Sequence, residues 1–297
     1  VPGAAYDAAG EAGTVYTDAP AQTTILGAAK MTGRIGPFTV GVLDAVTAPE
    51  YGRFAVRGGT EAMDDRAQIE PASNYLVARG RGRFGAAQVG GLLTAVNRNT
   101  NDDALATLLP SHEYVVGVDA EYALSDAWIV SGLGAASHVG GSADAMLGLQ
   151  TAFRRLYQRP DADHLAVDSS RTTLVGTTAE VAIAKVSGTH WRGSLSAAYT
   201  SPGFESTALG FQTRADQNYV GLSVFYDEPE AQGWLRRWTA NVFGSLGYSM
   251  GWDRTRSFMG WGLGMEFASL WSARLSGFAN LRTVNDRITR GGPLWPD

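Results

Sequence analysis

Along Trp191–Thr200 the chain alternates with a period of two: Trp191, Gly193, Leu195, Ala197 and Tyr199 are apolar or small, and Arg192, Ser194, Ser196 and Thr200 are polar. Successive side chains of a strand point to opposite faces, so the segment predicts a strand with one apolar and one polar face. The alternation recurs at residues 116–124, with Asp119 and Glu121 on the polar side, and again at 216–226, 238–250, 259–267 and 271–281. The whole chain then reads as about twelve strands, mostly of roughly 10–14 residues, in consecutive hairpins whose connections alternate between short and long.

The punctuation between these runs predicts the connections. Thr32-Gly33-Arg34 and Ser125-Asp126 have turn chemistry, and residues 49–71, with Gly58-Gly59 and Asp64-Asp65, read as a long polar loop. Arg79, Arg81 and Arg83 are spaced by two and share one face, with Asp119 and Glu121 as candidate partners. The all-β pattern is broken once. Residues 142–158 carry Met146, Leu149, Phe153 and Leu156 at helical spacing behind Ser142, a candidate N-cap with Asp144 in the first turn. Residues 1–20, rich in Ala, Gly and Asp, predict an extended lead-in before a domain over 21–297.

A two-faced strand fits a soluble sandwich, apolar side inward, or a membrane barrel, apolar side toward lipid. Length favours the barrel, because globular strands usually run about 5–6 residues and tilted membrane strands about 9–11. The polar face is rich in Gly, Ser, Thr and Asn, with only occasional charges such as Glu266, Arg274 and Arg282. Trp191, Trp238, Trp252 and Trp271 fall at strand ends, and Tyr199, Tyr226 and Tyr248 near the opposite ends, as two aromatic girdles would require. The expected fold is therefore an all-β, antiparallel, up-and-down transmembrane β-barrel of about 12 strands, with one short helix in a loop.

Composition narrows the chemistry. Of 297 residues 18% are charged, below the roughly 25% of ordinary soluble domains, so part of the surface is expected to face something other than water. No run of about 18 uninterrupted apolar residues occurs, which excludes helical membrane spans. The absence of Cys excludes disulfides and thiol catalysis, and a net charge of -5 without a basic stripe argues against nucleic acid. The opening VPGAAYDAAG has neither an initiator Met nor a signal-peptide pattern and reads as the start of a processed chain or a fragment.

The blocks TTILGAAKMTGR, FTVGVLDAVTA, EPASNYLVAR, LLTAVNR, YQRPDADH, HWRGSLSAAYTSPGFE and LGFQTRAD, in this order over residues 16–294, resemble the family known as domain of unknown function 5916. The resemblance implies a bacterial outer-membrane β-barrel region, often preceded by a carbohydrate-binding, family-9-like sandwich, and no established activity. It therefore implies an outer-membrane location, membrane lipid as a partner, and a glycan or other small envelope substrate as the molecule bound, passed or displayed. Against that family pattern the resemblance implies two departures, an absent upstream sandwich and a stop at RGGPLWPD where relatives would continue into further strands, and hence a chain that is part of a larger barrel.

The densest polar cluster is YQRPDADHLAVD, with Arg159, Asp161, Asp163 and His164 as candidate ligand-binding residues. Two carboxylates flanking a His could meet a hard cation, but the fixed ligand spacing and turn Gly of a calcium loop are missing, so no metal is expected. His190 and Arg192 alternate onto the polar face and complete the candidate set. No Gly-x-Ser-x-Gly elbow or Lys-Ser/Thr phosphate loop is present, so no catalytic residue and no cofactor is assigned. Two alternatives stay open: a membrane-associated hydrolase of glycans or esters, and a soluble β-sandwich binding module.

Overall fold

The computed structural model describes residues 13–58 and 63–296. The strands are β1 (Thr14–Asp18), β2 (Ile25–Ile35), β3 (Phe38–Thr47), β4 (Glu50–Arg57), β5 (Met63–Glu70), β6 (Ser73–Phe84) and β7 (Ala87–Arg98). After helix α1 (Asp103–Leu108) come β8 (His112–Ala123) and β9 (Trp128–Gly140), and after helix α2 (Ala143–Thr151) come β10 (Thr173–Lys185), β11 (Trp191–Thr200) and β12 (Gln217–Glu228). The chain finishes with β13 (Leu235–Tyr248), β14 (Arg254–Phe267), β15 (Ser272–Asn280) and the two-residue pair β16 (Val284–Asn285) and β17 (Trp295–Pro296).

Twelve of these strands form one antiparallel sheet in the order β15-β14-β13-β12-β11-β10-β9-β8-β7-β6-β3-β2. Nearly every strand pairs with its chain neighbours, as the consecutive-hairpin pattern predicts. The sheet is not closed: β2 and β15 are its edges, and no pairing joins them among the described residues. The one excursion leaves after β3, forms a separate sheet β1-β4-β5, and returns to β6, which pairs with β3 from Thr47↔Ser73 to Phe38↔Gly82.

Connections sort largely by length onto the two ends of the sheet, the short β13–β14 turn (249–253) at the long-loop end being the exception. The β2–β3, β6–β7, β8–β9, β10–β11, β12–β13 and β14–β15 turns are short and lie at one end; the β4–β5 excursion, both helices and the loops 141–172 and 201–216 lie at the other. No helix among the described residues is long and apolar enough to cross a membrane.

Four local expectations are corrected. The first hairpin turns at Gly36-Pro37, with Gly36 at φ 58, and Thr32-Gly33-Arg34 lies within β2. The predicted loop 49–71 contains β4 and β5, whose Gly52, Phe54 and Val56 alternate inward; its Gly59 lies outside the described residues. Within the predicted lead-in, residues 1–12 lie outside the described residues, but β1 pairs with β4 from Thr14↔Arg57 to Asp18↔Arg53. Helix α2 begins as predicted, with Ser142 Oγ accepting from Ala145 N at 3.1 Å, but ends at Thr151. The cause is local: Leu156 adopts φ 52, which no helix accommodates, and Phe153 is exposed. Helix α1 was not anticipated, although Asp102 caps it by accepting from Leu105 N at 3.0 Å.

Register defines the two faces of the large sheet. Trp191, Leu195 and Tyr199 stand beside Tyr226, Leu222 and Asn218 of β12, and Leu222, Val224 and Tyr226 stand beside Gly244, Val242 and Ala240 of β13. This outer face is the apolar set predicted from alternation. Leu222 is 48% and Val242 44% exposed, and Leu263 is half-buried, so no second layer among the described residues covers them. The sandwich arrangement, in which this face would be packed away, is not what the chain adopts. The opposite, inner face carries Arg79, Asp119, Glu180 and Ser196, and it is here that the loops pack. The Arg79–Asp119 ion pair at 2.5 Å is the pairing predicted from sequence, and it crosses β7 above Gly90, where a Cβ would meet both side chains.

Candidate functional site

The loops at the long-connection end assemble over the inner face. Val139 and Leu174, cross-strand partners on β9 and β10, bury the Met146 and Ala145 side chains of α2, so the helix is held by a small apolar core. Loop 201–216 continues the cover. Phe204 and Gly203 lie on the β10 backbone, and a Cβ at Gly176 would collide with the Phe204 amide. Glu205 N donates to Ser137 Oγ of β9 at 2.9 Å, and Ala208 N donates to Glu113 Oε1 of β8 at 3.0 Å.

An ionic network ties these segments together. The Arg155 and Glu205 side chains are fully buried and lie 2.8 Å apart; Arg155 also donates from Nε to Pro202 O at 3.1 Å and from Nη2 to Phe204 O at 2.6 Å. Glu205 accepts from the Thr207 backbone at 2.8 Å and from its hydroxyl. Burial by itself would raise the Glu205 pKa, but the Arg155 charge and the Thr207 hydrogen bonds outweigh it and hold the carboxyl below the ordinary glutamate value. Burial pushes the Tyr157 phenol up, with Arg155 and Arg171 opposing.

A second knot centres on Asp216 and Asp286. Arg159 Nη1 lies 3.0 Å from Asp286 Oδ2 and Arg159 Nη2 3.8 Å from Asp216 Oδ2; Arg214 grips Asp286 through both nitrogens. Asp216 Oδ1 also accepts from Met250 N at 3.0 Å and lies 2.9 Å from His164 Nε2. Loop 141–172, loop 201–216, the β13–β14 turn and the segment after β15 are thereby pinned to one another. In a flat sheet β9 and β15 would stand about 29 Å apart at the usual strand spacing, so the knot draws loops from distant strands across the inner face.

The six residues predicted as a candidate set divide. Arg159, Asp161 and His164 belong to this network: Asp161 Oδ2 accepts from Leu294 N, and Asp163 is exposed beside them. His190 and Arg192 sit at the short-turn end, separated by the length of β11, about 30 Å. His190 Nδ1 lies 3.0 Å from Asp227 O and its ring stacks on Tyr226, so it is a rim residue and not one of the inner row. Arg192 does face inward, with its guanidinium 4.9 Å from the Phe225 ring. The residues that sequence reasoning missed are Arg155, Glu205, Asp216 and Asp286. Their partners are remote in the chain, and no local pattern marks them.

Chemically the network is a latch. Glu205, Asp216 and Asp286 are each engaged by arginine, and three Arg159 nitrogens are buried without an acceptor at hydrogen-bond geometry. No group of three or more His, Cys, Asp or Glu side chains able to hold a metal occurs among the described residues.

The outer face carries two aromatic rims. At the short-turn end Trp191 packs edge-on to Tyr226 with centroids 4.8 Å apart, and Tyr226 against Trp238 at 4.7 Å. At the long-loop end are Tyr114, Tyr199, Tyr248 and Trp252. Tyr226 therefore joins the rim of Trp191, not the one opposite, and Trp252 joins Tyr248. From Trp191 to Tyr199 is eight residue steps, about 26 Å along the strand. Compared with known families and curated sequences, the chain matches no family model and no curated protein.

Proposed function

We propose that the twelve-stranded sheet is the wall of an outer-membrane β-barrel, a region of the kind the resemblance to domain of unknown function 5916 implies, and that it binds or passes a small envelope substrate. The observation that carries this reading is the uncovered apolar outer face bounded by Trp and Tyr rims. Such a face in water is an aggregation liability, whereas lipid covers it at no cost. A spanning sheet leaves no backbone edge in hydrocarbon, so β2 and β15 are paired in the membrane as parts of a larger closed wall. Bacterial barrels keep short turns on the periplasmic side and long loops outside. By that rule the latch closes the outer mouth and the inner face is open to the periplasm.

The full-length protein is expected to fractionate with outer membranes and to shift its migration on heating before denaturing electrophoresis, as folded barrels do. A chain that stays monomeric in buffer without detergent, with no heat-dependent shift, overturns the reading.

A further inference from the structure

On the inner face β14 presents three glycines in successive inward positions, Gly260, Gly262 and Gly264. Their lack of side chains leaves a trough between β13 and β15, about 14 Å long. One wall is Thr239, Asn241 and Phe243; the other is Arg274, Ser276 and Phe278, which stand at the same three levels. The β13 side chains lean over the floor: a Cβ at Gly262 would lie 2.6 Å from Asn241 Oδ1, one at Gly264 2.8 Å from Thr239 Oγ1, and one at Gly260 would strike the Phe243 ring. The cavity that remains is about 570 Å³. Phe258 stands one inward position beyond Gly260, its ring 5.7 Å from Phe278 and 6.4 Å from Phe243.

Two properties of this trough need an occupant. Phe278 is 61% and Phe243 40% exposed, so ring faces stand open on the inner face. The side chains of Asn241 and Arg274 have no hydrogen-bond or ionic partner among the described residues. A ligand that satisfies both has flat C–H faces to lay on the rings and hydroxyls to meet the amide and guanidinium. An acyl chain would cover the rings but strand the polar groups. The floor strand β14 is paired on both sides and offers an added peptide strand no edge within the trough; the sheet's open edge lies on the far side of β15.

We propose that this trough binds a short pyranose oligosaccharide, of roughly two to three rings by its length. Phe243 and Phe278 stack the sugar faces, and Asn241 and Arg274 hold hydroxyls. The site lies toward the short-turn end, away from the latch, and the inference rests on the barrel reading to make this face an aqueous lumen.

The test is calorimetric titration of the full-length protein, folded in lauryldimethylamine oxide so that the detergent carries no sugar, with maltotriose, cellotriose and chitotriose. Saturable binding of at least one is expected, weakened about tenfold or more by Phe243→Ala and by Phe278→Ala, abolished by Gly262→Val, and unchanged by Leu222→Ala on the outer face. Heat-dependent migration of each variant reports that it is folded. The assignment is overturned if a heat-modifiable barrel binds none of the three trisaccharides, if both Phe variants bind as the parent does, or if laurate binds in the trough and the sugars do not. Absence of heat-dependent migration in the parent refutes the barrel reading instead, so the two failures are distinguishable.

Discussion

Replacing Glu205 with alanine is expected to destabilise the folded chain by about 3–5 kcal/mol, because the Arg155 guanidinium would stay buried with its counter-charge removed. The same change frees the loop whose amides and hydroxyl the carboxylate holds at Thr207, so the cover over β8, β9 and β10 loosens. Urea unfolding followed by the heat-dependent band shift measures the first effect. Planar-bilayer recording measures the second: the parent is expected to pass little current and Glu205→Ala to show larger and more frequent openings. A parent with a large permanent current would show that the latch closes nothing. The pH dependence has a definite sign. Since the folded carboxyl titrates below its ordinary value, its contribution is present above the ordinary glutamate pKa and is lost as pH falls through the lower folded value. Acid in that window is therefore expected to imitate the alanine variant.

Gly176→Val tests the same cover from beneath without touching a charge. The Phe204 backbone lies where the new side chain must go, and no rotamer of a β-branched residue avoids it. Loop 201–216 must lift, which breaks the Ser201 Oγ contact to Thr177 N at 2.7 Å and the Ser137 contact to Glu205 N. The expected cost is at the upper end of the usual roughly 1–3 kcal/mol for overpacking. Limited proteolysis is expected to cut within 201–216 in the variant and not in the parent, while the strands of the large sheet stay resistant. If the loop stays protected, the packing of Phe204 on β10 is wrong.

The strands were legible and the latch was not, for one physical reason. Alternation is a local signal, and the strands of the large sheet gather their apolar residues on one face, so residues two apart report the fold directly. The length contrast between connections was legible for the same reason. The β4 strand was missed although Gly52, Phe54 and Val56 alternate, because interleaved Arg53 and Arg57 made the segment read as polar loop. The turn at Gly36-Pro37 was displaced because Gly33 carries the same chemistry three residues earlier. For the site, YQRPDADH announced a dense cluster but not its partners. Asp216 and Asp286 reach Arg159 only after loops from strands far apart in order have crossed the inner face.

The excursion between β3 and β6 has a practical corollary. Thr47 and Ser73 are direct cross-strand partners, so the main-chain ladder is continuous right up to the point where 49–71 departs. A tight two-residue connection could replace that segment, and equally a guest domain whose termini lie close together could be spliced in its place. This position is a natural port for a reporter or an epitope, carried at the long-loop end beside an unbroken twelve-stranded ladder, with β1 giving up its β4 partner.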